Sequence, residues 1–347
     1  MQIPDTMDTS VLIEPHRIEL QQRPVPTPAA NEVLIRVDVI GVCGSDTHFY
    51  ESGAVGDIVV QSPVVLGHET SGTIVAVGAD VDEGRIGELV AIEPQRPCRV
   101  CELCKSAQYH LCRDMRFYGA WPVDGSFSEY VTIEADFAFP VPEGMTAEEA
   151  ALVEPVSVAL HACRRAGVFP GARVLISGAG PIGILTAQVA RSFGATELVV
   201  SDPLEHRRQF VLEHGATKTI DPLNGGLVGY DEHFDVYIDA SGNGRAIQAA
   251  FPAIKRGGMA CLVGMGSDSL DIPIAMLQHR EITLTGTFRY VNTWATAIDL
   301  IASGRVDASP IITGQYGLDD VEGALMKAKT DPLAIKTVIL PSIKAAR

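Results

Sequence analysis

The spacing of apolar and polar positions changes character once along this chain, near residue 145. Before that point the apolar residues fall in short runs. Residues 33–40 read Val-Leu-Ile-Arg-Val-Asp-Val-Ile, mostly β-branched and partly alternating with polar side chains, which predicts a strand with one face buried. Residues 73–77 and 89–92 predict strands for the same reason, and Gly, Pro and Asp cut the runs into short pieces. Residues 1–150 are therefore expected to be β-rich, with neither an internal repeat nor a low-complexity tract.

Beyond residue 145 strands alternate with helices. Residues 146–149, Thr-Ala-Glu-Glu, form a capping-box pattern, in which Thr146 caps a helix start and Glu149 reaches back. Pro155 suits a first helical position, and Gly167 closes the apolar run that follows. Then come a strand at 173–177, a glycine turn at 178–183, a helix at 184–193 and a strand at 197–201. Further strands are expected at 236–239, 259–264 and 281–287. This alternation predicts a doubly wound parallel α/β sheet. About the last sixty residues return to mixed character, so the C-terminal segment is expected to rejoin the first domain. The expected division is 1–153 with 290–347 for one discontinuous domain and 154–289 for the other, since 347 residues exceed one ordinary core.

The turn carries the first chemistry. Residues 178–183, Gly-Ala-Gly-Pro-Ile-Gly, fit the dinucleotide fingerprint between a strand and a helix. Gly178 permits the tight turn, Gly180 lets a pyrophosphate approach the backbone, and Gly183 allows close helix–strand packing; Pro181 and Ile182 complete the candidate phosphate loop. Asp202 lies nineteen residues after Gly183 at the end of the next strand. A carboxylate there accepts the ribose hydroxyls of NAD and repels a 2′-phosphate, although Arg207 and Arg208 follow closely and arginines can cradle that phosphate.

Metal chemistry comes from the cysteines. Cys98, Cys101, Cys104 and Cys112 are spaced C-x2-C-x2-C-x7-C, which suits a closed, structural tetrahedral zinc site. A second set is open: Cys43 in residues 41–48 and His68 with Glu69 in residues 67–69, Cys43 and His68 being twenty-five residues apart. Catalytic zinc takes three protein ligands and leaves one position free. Cys43 and His68 supply two, and the third is a carboxylate or a distant residue.

Composition narrows the partners. The net charge of −16 repels nucleic acid and anionic lipid, and leaves a neutral substrate unaffected. The first twelve residues carry Asp5 and Asp8 and no basic residue ahead of an apolar run, unlike a signal peptide, and no apolar stretch of about eighteen residues suggests a membrane span. Seven cysteines, four at metal spacing, fit a reducing cytoplasm better than a disulfide framework. Cys163 and Cys261 read as core.

On residues 41–48, residues 67–72 (Gly-His-Glu-Thr-Ser-Gly), the four-cysteine lobe and residues 178–183, the chain resembles the medium-chain dehydrogenase/reductase superfamily over essentially its whole length. Within it the chain is most similar to the sorbitol/xylitol (polyol) dehydrogenases, on residues 91–94 (Ala-Ile-Glu-Pro), 153–158 (Val-Glu-Pro-Val-Ser-Val), 161–163 (His-Ala-Cys) and 288–294 (Phe-Arg-Tyr-Val-Asn-Thr-Trp). The resemblance implies a GroES-like catalytic domain with a structural zinc lobe, a Rossmann domain, two zincs per subunit, NAD, and oxidation of a polyol to a ketose. It implies Glu154 as the third metal-site residue, directly or through water, with Glu69 as competitor. Ser45 and then His48 would relay the proton, Arg289 and Tyr290 would bind distal hydroxyls, and Tyr50 and Phe117 would line the pocket. A homotetramer is expected from the family. Some polyol dehydrogenases lack the four-cysteine lobe that this chain keeps. Two other readings are a zinc alcohol dehydrogenase of the butanediol or threonine type, and a nucleotide-binding sensor or structural protein. The latter predicts a defective open site, whereas Cys43, His68 and Glu154 are all present.

Overall fold

A computed structural model of the protein describes residues 2–266 and 269–343. In chain order, the elements that position the sites begin with β1 (Glu32–Gly41), α1 (Gly44–Ser52), β2 (Glu69–Val77), β3 (Leu89–Ile92), β4 (Tyr130–Glu134) and β5 (Ala138–Pro140). They continue with α2 (Val153–Arg165), β6 (Arg173–Ser177), α3 (Pro181–Ser192), β7 (Glu197–Ser201), β8 (Lys218–Ile220), β9 (Phe234–Asp239), α4 (Gly244–Ala250), β10 (Ile254–Leu262), β11 (Thr283–Gly286) and α5 (Trp294–Ala302). The chain ends with β12 (Ile312–Tyr316), α6 (Val321–Thr330) and β13 (Lys336–Ile339).

The contacts divide the chain into two units, Met1–Glu154 with Ser309–Arg347, and Pro155–Ala308. The first unit is built on a seven-stranded sheet in the order β5-β3-β2-β1-β13-β12, with β4 paired to β1. In β1 the residues Val33, Leu34, Ile35, Val37, Val39 and Ile40 are buried, while Arg36 and Asp38 stay part-exposed and meet Thr73 of β2 through hydrogen bonds. The last strand, β13, pairs with the end of β1, so residues from the C-terminal segment reach the centre of this sheet.

The second unit holds a six-stranded parallel sheet in the order β8-β7-β6-β9-β10-β11. Its central strands read as continuous apolar runs because both faces are covered; Val174, Leu175 and Ile176 are wholly buried. The order reverses between β6 and β9, which makes the carboxyl ends of those strands the crevice of a doubly wound fold. The capping box at Thr146 forms: Glu149 N–H donates to Thr146 Oγ1 at 3.2 Å, and Thr146 N–H donates to Glu149 Oε2 at 2.8 Å. The helix after the glycine turn starts at Pro181, three residues before its expected start, because the turn already makes the helical bond from Ile184 N to Gly180 O. No helix among the described residues is long and apolar enough to cross a membrane.

The second boundary differs from the expected one. Residues 290–308, assigned by the sequence to the first domain, pack in the second unit. Trp294, Ala297, Ile298 and Ile301 of α5 are buried, and the Gln188 side chain on α3 both accepts from Asp307 N (2.7 Å) and donates to Asp307 O (3.0 Å). The first boundary falls after Glu154 and not after residue 153. Trp294→Ala is expected to lower the stability of the second unit by about 3–5 kcal/mol, as large core truncations do. Chemical denaturation checks this; an unchanged midpoint would remove α5 from that core.

Candidate metal and dinucleotide sites

Cys43 caps the N-terminus of α1, and its own backbone N–H donates to Oδ2 of Asp46 at 2.9 Å. Oδ1 of the same carboxylate accepts from Gly67 N–H at 3.0 Å and lies 3.6 Å from His68 Nδ1. Asp46 therefore fastens the start of α1 to the residue pair that precedes β2. It is completely buried. Burial opposes its charge, but His68 and the two backbone donors outweigh burial and hold its pKa below the ordinary carboxylate value. Burial likewise opposes a charge on His68, yet Asp46 and Cys43 raise its pKa well above the usual value. The pocket thus favours a cation at this point.

Among the described residues, donor atoms of Cys43, His68 and Glu69 lie within 4.8 Å of one another. One thiol, one imidazole and one carboxylate make a donor set suited to zinc. Glu69 opens β2 opposite Gly41 of β1, and any side chain at Gly41 would collide with the Glu69 carboxylate. Lys336 of β13 donates to Glu69 Oε1 at 2.5 Å, and both side chains are almost entirely buried. Burial works against the Lys336 charge, but Glu69, then Cys43 and Glu154, keep its pKa above the ordinary lysine value. Glu154 is buried in the first turn of α2, outside the Cys43–His68–Glu69 trio. Neither Asp46 nor Lys336 was singled out by the sequence. Asp46 left a signal, an acid three residues into a helix capped at Cys43; Lys336 left none, being 267 residues from Glu69.

The other expected residues of the first unit are placed as follows. Ser45 is half-buried on the first turn of α1, and His48 on the same helix is exposed. Tyr50 donates its hydroxyl to Glu322 Oε1 on α6 at 3.2 Å. The Phe117 ring lies 5.3 Å from the His68 ring.

Cys98, Cys101, Cys104 and Cys112 also gather their sulfurs within 4.8 Å of one another, all as free thiols. Cys98 N–H and Cys101 N–H point at the Cys112 and Cys98 sulfurs, both at 3.3 Å, the donor pattern that supports clustered thiolates. Behind them Glu93, at the end of β3, accepts from Tyr109 Oη (2.8 Å) and Gln95 Nε2 (3.0 Å) at a single oxygen. Burial pushes the Glu93 carboxyl up to about 7 despite those two bonds.

In the second unit the glycine turn has its expected form. Gly178 sits at φ +94°, a left-handed conformation that glycine adopts freely, and a side chain at Gly183 would collide with the Gly178 carbonyl. Gly180 caps α3 and Pro181 occupies its first turn. Asp202 is buried; Oδ2 accepts from Ala179 N–H and Oδ1 from Leu204 N–H, each at 2.8 Å. Each oxygen retains a second lone pair. Arg208 is committed to the Asp202 carbonyl (2.7 Å) and to Asp221 (3.4 Å), whereas the Arg207 guanidinium lies beside Gly180. Arg289 holds its guanidinium 4.6 Å from the centre of the exposed Phe288 ring. Tyr290 is wholly buried, its ring 4.7 Å from that of Trp294. Cys163 and Cys261 are core residues, as expected.

Two family models match this chain: the alcohol dehydrogenase GroES-like domain over residues 29–143, and zinc-binding dehydrogenase over residues 181–303. The chain is 38% identical over 333 residues to sorbitol dehydrogenase of Bacillus subtilis (strain 168), covering 94% of each. It is 37% identical over 336 residues to D-xylulose reductase A of Aspergillus oryzae (strain ATCC 42149 / RIB 40), covering 93% of this chain and 94% of that relative. The solved structure of L-idonate 5-dehydrogenase from Escherichia coli K-12 superposes with a TM-score of 0.91 at 31% identity, over 96% of this chain and 98% of that one.

Two outcomes follow from the buried charges. In metal-free protein, Lys336→Met is expected to cost about 3–5 kcal/mol, because it strands the Glu69 carboxylate. Adding Glu69→Gln should recover most of that loss; equal urea midpoints for the single and double variants would overturn the account. The folded Glu93 value near 7 exceeds the ordinary 4.5, so its contribution to stability is fully present below 4.5 and is lost as pH rises through 7. Glu93→Gln keeps an acceptor for Tyr109 and Gln95 without the charge. It should leave stability unchanged near pH 4.5 and raise it near pH 8 by on the order of 3 kcal/mol. Thermal melts at the two pH values, showing parallel curves for both proteins, would refute this.

Proposed function

Because the chain belongs to the zinc-binding dehydrogenases of the medium-chain superfamily, in the polyol dehydrogenase subgroup, we propose that it oxidises a secondary hydroxyl of a sugar alcohol to a ketose and passes the hydride to NAD. The observation that carries the reading is the convergence of half-buried Cys43 with buried His68 and Glu69 on one point. Cys43 and His68 are assigned as metal ligands and Glu69 as the third donor. Asp46 and Cys43 favour a proton on His68, and Glu69, Cys43 and Glu154 favour the charge of Lys336. A bound divalent cation would take the place of the His68 proton. Zinc bound by three protein donors keeps one position for the substrate and acts there as a Lewis acid that lowers the hydroxyl pKa.

The protein's own groups then hold and move protons and orient the partners. Asp46 fixes the His68 ring. Ser45 accepts the substrate proton as it hands its own on toward His48, which is exposed on the same helix and releases a proton to solvent. Phe117, against His68, lines the apolar side of the substrate, and Tyr50 is held at its edge by Glu322. The turn 178–183 and the N-terminus of α3 receive the pyrophosphate, with Arg207 adding positive charge beside Gly180. Asp202 accepts the ribose hydroxyls and selects NAD over NADP. Arg289 is assigned to distal hydroxyls of the polyol, and Tyr290, packed on Trp294, seats it. The four-cysteine lobe is assigned a structural zinc, giving two per subunit, and the protein is assigned as a cytoplasmic homotetramer.

NADH formation with polyols, simple alcohols and butanediol, with NAD and with NADP, before and after zinc chelation, tests the reading. Chelator-sensitive turnover of polyols with NAD is the expected result. Turnover confined to simple alcohols or butanediol would keep the dehydrogenase and remove the polyol; no turnover with any substrate would overturn the proposal.

A further inference from the structure

The crevice at the reversal of the parallel sheet is bordered by one residue that the proposed reaction does not use. Asp239 ends β9, beside the strand that leads into the dinucleotide turn, and its side chain is fully buried. Its carboxylate faces donors from the loop that follows and the backbone N–H of Gly264. Oδ1 accepts from Ser241 N–H at 3.1 Å and from Ser241 Oγ at 2.6 Å; Oδ2 accepts from Gly242 N–H at 3.0 Å. Ser241 Oγ in turn accepts from Asn243 N–H at 3.1 Å, and Asn243 caps α4. The backbone carbonyl of Asp239 reaches the other way and accepts from Val263 and Gly264 N–H at 2.9 and 3.0 Å. One residue therefore ties residues 240–243 to residues 263–266.

Those two segments lie backbone against backbone. A side chain at Gly264 would collide with the Gly242 amide, one at Gly266 with the Gly242 carbonyl, and one at Gly242 with the Met265 carbonyl. On the opposite side Ala240 N–H donates to Ser177 O at 2.8 Å, and a side chain at Gly178 would press on the Ala240 carbonyl. The dinucleotide turn thus rests directly on the plate that Asp239 organises. Asp202, at the end of β7, fixes which end of a dinucleotide lies on that side of the reversal: the adenosine ribose. With the pyrophosphate at the helix start, the nicotinamide half must cross toward the ends of β9 and β10.

Resting on the dinucleotide reading above, we propose that Asp239 is a positioning residue for the nicotinamide half of the cofactor, holding residues 240–243 and 263–266 as one plate. A buried carboxylate that meets only N–H and O–H donors is not replaceable by an amide of the same shape, because an amide presents an N–H to one of those donors. Asp239→Asn therefore disturbs the plate at residues 241–243 and 263–266, and leaves Asp202 and the Ala240–Ser177 contact under the turn in place.

The test compares NAD and ADP binding to the full-length protein by calorimetry, alongside steady-state kinetics. Asp239→Asn should weaken NAD at least tenfold, leave ADP within twofold, raise the KM for NAD, and leave the KM for polyol unchanged at saturating NAD. Ser241→Ala, which removes the 2.6 Å bond to Asp239 and the acceptor of Asn243 N–H but keeps the carboxylate and its two amide donors, should move NAD binding in the same direction by less, and covers the case in which Asp239→Asn does not fold. NAD binding unchanged in the variants, or NAD and ADP weakened equally, would overturn the inference while leaving the dehydrogenase reading intact. Wild-type protein that bound neither nucleotide would overturn both.

Discussion

The first site depends on a single carboxylate. Asp46 is sealed from water, and its two oxygens accept the amides of Cys43 and Gly67, which belong to a helix start and to the approach of a strand. A buried carboxylate is costly unless every lone pair facing the interior is met. Here the bonds that meet it also hold the thiol and the imidazole in register. The β1–β2 ladder, which pairs Gly41 with Glu69, brings the two segments together, and Asp46 sets the thiol and the imidazole within them. The charge arrangement has the same origin: Asp46 and Cys43 raise the pKa of His68, and Glu69 and Cys43 do the same for Lys336.

The second unit repeats the device with different partners. Asp202 and Asp239 both stand at carboxyl ends of parallel strands, and both turn their oxygens toward loop amides. In each case a strand end that would otherwise leave its loop free is given a fixed exit. The glycines beside them allow this, since Gly178, Gly242 and Gly264 are approached by backbone on the side where a Cβ would stand. The candidate metal and nucleotide sites therefore share one logic: short polar side chains fix backbone, and backbone fixes the groups proposed for the chemistry.

Much of this was legible in the sequence, for physical reasons. Residues 173–177 read as a strand because a parallel strand covered on both faces needs an unbroken apolar run, and 89–92 is the observed span of β3. The capping box at Thr146 and the glycine turn were readable because each rests on contacts within four or five residues. What failed was long-range. Residues 290–308 carry no compositional mark of their allegiance, which is decided by Trp294 burial and by the Gln188–Asp307 bonds. The full burial of Tyr290 was equally invisible, because its tyrosine hydroxyl reads as polar. Lys336 shows the limit most clearly. A lone lysine in a short C-terminal strand reads as surface, and only the return of that strand beside β1 brings it to Glu69.

That return has a consequence for how the molecule is made. The second unit is one continuous stretch, complete once Ala308 has been synthesised. The first unit is not: its sheet lacks two strands until residue 339 has left the ribosome. Until then Glu69 lacks the lysine that pairs with it. Nascent chains emerge over tens of seconds at roughly 5–20 residues per second. The last strand then brings in the lysine that pairs with Glu69, so this buried ion pair is among the final contacts that the first unit makes.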